Sequence, residues 1–201
     1  ILLGLTLPIT PIQILWINLV TATTLGIALA FEPTEKDTML RPPRPRAEPV
    51  LNGTLAWQII FASLLISAGV FGVFAYGVEQ QYDLELARTL ALNMLVIMEI
   101  FYLFYVRNIY GPSLTWAAVR GTKAVWVTVI AVFAAQLGIT YAPPLQAIFA
   151  TRPVPFADGV LLFAIGTVFF AALELEKRLR LSLRAMGQTA HQQESGGSNA
   201  Q

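Results

Sequence analysis

The sequence predicts an all-α fold, a polytopic bundle of membrane-crossing helices, and two observations carry that prediction. The 201 residues are 56% hydrophobic and 12% charged, with a mean hydropathy of +0.63, a charged share roughly half that of ordinary soluble domains. Apolar runs at 11–31, 55–78, 88–106, 124–142 and 157–175 each approach the ~20 residues that a helix needs to cross hydrocarbon. Runs such as "LAWQIIFASLLISAGVFGVFAY" lack the polar stripe of a soluble amphipathic helix. Five transmembrane helices are therefore expected, preceded by the end of another.

That preceding end is "ILLGLTL", too short to span and separated from the first full helix by Pro8 and Pro11. The chain opens at Ile1 in mid-hydrophobic sequence, with neither a methionine nor the basic start of a signal peptide. It reads as a piece of a longer protein. After the first span, "FEPTEKDTMLRPPRPRAEPVLNG" is proline-rich, which favours a stiff, extended spacer over a helix. Within the second span, Ser63 with Ser67 and Ala68 with Gly72 make small-xxx-small spacings suited to close helix contact. Residues 1–185 form the membrane domain, and 186–201, rich in Gln, Ser and Gly, form a disordered polar tail.

Orientation follows from lysine and arginine. All but two of the 13 basic residues lie in three segments: Lys36, Arg41, Arg44 and Arg46; Arg107, Arg120 and Lys123; Lys177, Arg178, Arg180 and Arg184. A five-helix alternation puts these segments on one side, and the positive-inside rule makes that side cytoplasmic. The C-terminus is then inside, and the localisation expected is an integral protein of the plasma membrane.

Several function classes drop out. The net charge of +1 gives no basis for a nucleic-acid partner. There is no cysteine, hence no disulfide, thiolate metal site or cysteine nucleophile. The one histidine, His191, sits in the polar tail and reads as solvated.

The chemistry lies inside the membrane. Glu99, in "ALNMLVIMEIFYLFYVRN", is the carboxylate placed well within an apolar span, where a charge costs several kcal/mol and is a functional hypothesis by default. On the first helix, Asn18, Thr21 and Ala22 are spaced i, i+3, i+4 and share a face of an α-helix. At ~1.5 Å per residue Thr21 lies about 15 Å from Phe31, and Glu99 lies about 12 Å from Arg107, so the two reach similar depth. An amide, a hydroxyl or backbone carbonyl, and a carboxylate there would suit a hard cation. Hydrogen bonding between helices is the alternative for Asn18 and Thr21, and the preferred reading for Thr23 and Thr24. Asn93 and Gln136 read as single polar groups without a spacing partner. Glu174, Glu176 and the basic run after them are expected at the interface, snorkelling to headgroups.

At this point the chain resembles a known family. "LPITPIQILWINLVTATTLGIALAFEPTEKDTMLRPPRPR" is similar to the sixth membrane helix and following loop of type II P-type cation-transporting ATPases. "LVIMEIFYLF" resembles the eighth helix of the calcium pumps, and "FFAALELEKRLR" their tenth. The similarity runs in order through about residue 185 and implies helices six to ten of an ATP-driven pump. In that family an asparagine and a threonine of the sixth helix and a glutamate of the eighth contribute to ion sites, and the matching positions are Asn18, Thr21 and Glu99. The calcium pumps place an aspartate directly after the threonine, where this chain has Ala22. The resemblance therefore does not carry calcium selectivity, and a monovalent ion, a proton or a lost site all stay open.

The phosphorylated Asp-Lys-Thr-Gly motif of the family is absent from these residues, as is a Walker-type glycine loop. The segment alone is expected to be non-catalytic. ATP and Mg are the cofactors of the intact parent, and the partners implied are the transported cation, the lipid bilayer, and the parent's N-terminal helices and cytoplasmic domains. Two other readings stand beside the pump: a secondary transporter or channel fragment in which Glu99 relays protons, and a non-transporting membrane scaffold.

Overall fold

The computed structural model describes residues 7–22, 26–27, 30–31, 53–107 and 123–198, without the side chains of 20–22, 124 and 183–198. The preceding helix end at 1–6, the proline-rich loop, Thr23, Thr24 and Arg120 lie outside the described residues. Those described form an all-α bundle. Helix α1 spans Pro11–Trp16 and continues as a π-helix over Ile17–Ala22; α2 spans Gly53–Glu79, α3 Leu84–Val106, α4 Lys123–Tyr141, α5 Pro143–Phe149 and α6 Phe156–Ser198.

Among the described residues, three segments are long and apolar enough to cross a membrane: Gly53–Glu79, Leu84–Val106 and Phe156–Ser182. Val125–Tyr141 reaches that length only together with α5, which it meets at an 86° bend, so the pair makes a fourth span if it is counted as one. Pro143 begins α5 after Ala142 in extended backbone, where proline's fixed φ suits a first helical position but cannot extend the preceding helix. The short helix in "PPLQAIF" is not anticipated by the apolar pattern, because it runs across the end of the bundle rather than through it. The backbone of α6 remains helical to Ser198, through the segment whose composition suggests a disordered tail.

Helix α3 is the hub. Asp83 caps it, its carboxylate accepting from Leu86 N–H at 2.9 Å. Leu90, Met94, Ile97, Met98 and Tyr105 of α3 form the core with Ala62 and Val73 of α2 and Leu162, Phe169 and Leu173 of α6. Two glycines permit the approach. A Cβ at Gly77 would lie 3.1 Å from the Ala87 backbone, and one at Gly166 would lie 2.7 Å from both Ile97 Cγ2 and Phe101 Cε2.

The small-residue stripe anticipated for close packing is not the one used. Ser63, Ser67, Ala68 and Gly72 are exposed, and nothing approaches a Cβ built at Gly72. The contact uses Ala62, Gly69, Val73 and Gly77 instead. Helix α2 carries small residues on more than one face, and only the fit to Met98, Ala87 and Leu90 of α3 selects between them.

The basic end also departs from expectation. Lys177 does not snorkel: it is fully buried, its Nζ 4.8 Å from the Tyr105 ring centroid and 3.6 Å from Glu174 Oε2. Glu176 accepts from the Trp57 indole at 3.1 Å and from Arg180 at 3.2 Å. The α6 turn that carries these residues packs on α3, so part of the charged run faces protein instead of headgroups.

Candidate functional site

The first helix is built to change pitch at the candidate site. Thr10 precedes Pro11, and the Thr10 N–H donates to Gln13 Oε1 at 3.0 Å, closing the first turn. Gln13 is fully buried and donates from Nε2 to the Phe149 carbonyl at 3.0 Å, which ties α1 to the end of α5. The Trp16 ring meets Phe149 edge-on with centroids 5.1 Å apart. From Ile17 the helix is π-helical, a widened i→i+5 turn of a kind frequent at functional sites.

Asn18 and Thr21 both fall within that turn. The wider pitch alters the i, i+3, i+4 alignment expected of Asn18, Thr21 and Ala22, because residues four and five apart now stack most closely. Asn18 is exposed, and the Thr21 and Ala22 side chains lie outside the described residues.

Glu99 is half-buried on α3. Ile17 packs with Leu92 and Ile139, and Leu95 and Trp16 close the same cluster. Leu92, Leu95 and Glu99 are spaced i, i+3, i+7 and lie on one helical face, so Glu99 continues the face of α3 that receives α1 and its π-turn. The two helices run in parallel: Arg88 Nε donates to the Leu7 carbonyl at 3.0 Å near their starts, and Ile17 meets Leu92 further on. Counting on from that pair at ~1.5 Å per residue, the Thr21 and Glu99 backbones differ in depth by about one helical turn. Among the described residues no three His, Cys, Asp or Glu side chains cluster as a metal site.

A second polar constellation joins these helices, and sequence reasoning missed it. Gln136 Oε1 accepts from Trp16 Nε1 at 3.1 Å, and Gln136 Nε2 donates to Asn93 Oδ1 at 3.1 Å. Thr140 Oγ1 gives its proton to the Gln136 backbone carbonyl at 2.8 Å and lies 3.3 Å from the same Asn93 oxygen, and Asn93 Nδ2 donates to the Thr89 carbonyl at 2.8 Å. Asn93 and Gln136, taken as isolated polar groups, are each other's partner across α3 and α4. Spacing within one helix cannot reveal such a pair. The available signal was that each sat alone in an apolar span, where an amide needs a partner on another helix. A cavity of about 110 Å³ borders the pair, walled by Ile97, Phe133 and Phe163.

The profile of the family described as "Cation transporting ATPase, C-terminus" matches residues 6–179. The chain is 41% identical over 171 residues to a probable cation-transporting ATPase F of Mycobacterium tuberculosis, covering 83% of this chain and 18% of that protein. It is 32% identical over 178 residues to a calcium-transporting ATPase of Bacillus subtilis, covering 83% of this chain and 19% of that one. A cation-transporting ATPase of Synechocystis is 31% identical over 166 residues, covering 80% and 18%. The chain thus spans under a fifth of the length of these curated relatives.

Proposed function

This chain belongs to the C-terminal family of cation-transporting ATPases, and from that premise we propose that it supplies part of the ion-binding site and pathway of an ATP-driven cation pump. The observation that carries this reading is the position of Glu99, an acid inside an apolar span on the α3 face that receives the π-turn of α1. Asn18, Thr21 and Glu99 are the proposed ligands. A π-turn suits such a role because it departs from regular i→i+4 bonding where oxygen donors are wanted.

The intact pump would use ATP and Mg at domains outside this segment and couple phosphorylation there to movement of these helices. Its basic segments would face the cytoplasm, leaving the C-terminus inside, and the plasma membrane is the proposed location. The partners are the transported cation, the surrounding lipid, and the remaining helices and cytoplasmic domains of the pump. Cation is the level at which the relatives' names agree, and calcium, named for the Bacillus subtilis relative, is the first ion to try.

The test is cation-dependent phosphorylation by ATP in the full-length protein, titrated with calcium, manganese, sodium and potassium at fixed Mg-ATP. Glu99→Gln is expected to raise the half-saturating cation concentration or abolish the response. Wild-type cation dependence in that variant would remove Glu99 from the ligand set.

A further inference from the structure

We propose that Gln136 is a positioning residue for the ion site: from a helix that contributes no ligand, it holds α1 and α3 in one register, so that the π-turn and Glu99 keep a fixed relative depth. The inference rests on reading Asn18, Thr21 and Glu99 as ligands, and adds to it the device that sets their spacing.

Gln136 is 5% exposed and bonds to both ligand-bearing helices with one amide. Its polarity is forced. The Trp16 indole N–H can only donate, so Gln136 must turn Oε1 toward it and Nε2 toward Asn93. Asn93 must then present Oδ1, leaving Nδ2 for the Thr89 carbonyl, a group that can only accept. A donor that cannot accept stands at one end and an acceptor that cannot donate at the other. Every amide between them has a single satisfied orientation.

Placement gives the network its consequence. Trp16 is the last α-helical residue before the π-turn, and Asn93 lies on α3 between Leu92, which packs on Ile17, and the turn carrying Glu99. Sliding α1 by one residue along α3 would move the indole about 1.5 Å and rotate it about 100°, from which Gln136 cannot reach both partners. In an apolar span the broken bonds would find no water to replace them, except through the adjoining cavity. The Ile17, Leu92 and Ile139 contact resists separation of the helices but is non-directional. The amide chain supplies the register that this contact lacks.

The experiment uses the full-length protein and reads the half-saturating concentration of CaCl2, MnCl2, NaCl or KCl for phosphorylation by ATP, together with the maximal phosphoenzyme level. Gln136→Met keeps the volume and loses both bonds; the expected result is about a tenfold rise in half-saturation, in the range seen when groups that orient ligands are removed, with an unchanged maximum. Gln136→Glu, neutral in this setting, still accepts from Trp16 and donates to Asn93, and is expected to stay within about twofold of wild type. Trp16→Phe should shift half-saturation less than Gln136→Met does, and add nothing in the double variant, because both remove the same connection. If Gln136→Met fails to fold, Trp16→Phe and Gln136→Glu decide. Unchanged half-saturation in Gln136→Met and Trp16→Phe, or in Trp16→Phe where Gln136→Met does not fold, with Glu99→Gln shifted, overturns the positioning role. An unshifted Glu99→Gln overturns the ligand reading itself.

Discussion

Lys177 lies with its ammonium 4.8 Å from the centre of the Tyr105 ring, fully buried between α6 and α3. The Tyr105 hydroxyl accepts from Gln58 Nε2 at 3.3 Å, so one ring links α2, α3 and α6. A buried cation over an aromatic face contributes roughly 0.5–2 kcal/mol, and Glu174 at 3.6 Å supplies the opposite charge. Tyr105→Phe keeps the ring and should cost about 1 kcal/mol for the lost hydrogen bond. Tyr105→Leu removes both and should cost roughly 2–3 kcal/mol. Unfolding in mixed detergent micelles, comparing the two variants, checks the order; equal losses would mean that the ring face contributes nothing.

Gly166 and Gly72 make a matched pair. Alanine at Gly166 places a methyl 2.7 Å from Ile97 and Phe101, whereas Gly72 has open space. Gly166→Ala is expected to destabilise by about 1–3 kcal/mol through overpacking. Gly72→Ala should be neutral or stabilising by up to about 1 kcal/mol, since alanine is the better helix former. Thermal inactivation of the two variants in the same membranes tests the contrast.

Gln13→Leu should loosen α1 from α5. The change strips a partner from the Thr10 N–H and from the Phe149 carbonyl, and a buried polar group left unsatisfied costs about 1–3 kcal/mol. Limited proteolysis near α5 is expected to speed up in this variant, while an unchanged rate would show that the tie is dispensable.

Arg152 bridges Asp83 and Glu85 at 3.5 and 2.8 Å, with its side chain 55% exposed. Screened by solvent, this cluster should be worth less than about 1 kcal/mol. Arg152→Gln is expected to lower stability slightly at low salt and not at all at high salt. A loss that persists at high salt would point to a role for this side chain beyond charge.

Ala22→Asp tests the ligand reading from the other side. A carboxylate added beside Thr21 raises the charge offered to a divalent ion, so the half-saturating calcium concentration for phosphorylation of the full-length protein should fall about tenfold or more. No change across calcium, sodium and potassium would take this turn out of the ion pathway.

The membrane-helix character of the fold was legible because its cause is local. Runs such as Gly53–Glu79 and Leu84–Val106 must satisfy their backbone internally wherever they meet lipid, and helices do that without any partner. Glu99 stood out for the same reason, as a single acid against an apolar background. The residues that hold the helices together were less legible. Ser63, Ser67, Ala68 and Gly72 offered the same small-residue signal as the stripe that is used, and a one-dimensional spacing cannot say which face meets α3.

By itself the sequence determined the character of the described spans: apolar helices, a helix start at Pro11, an acid within Leu84–Val106. These are properties of a few neighbouring residues and the solvent around them. Tertiary structure alone decided that Asn93 and Gln136 are partners, that Lys177 is buried and that Gln13 ties α1 to the end of α5. Each of these depends on a group distant in the chain, and hydrogen-bond geometry and close packing act only once the helices have met.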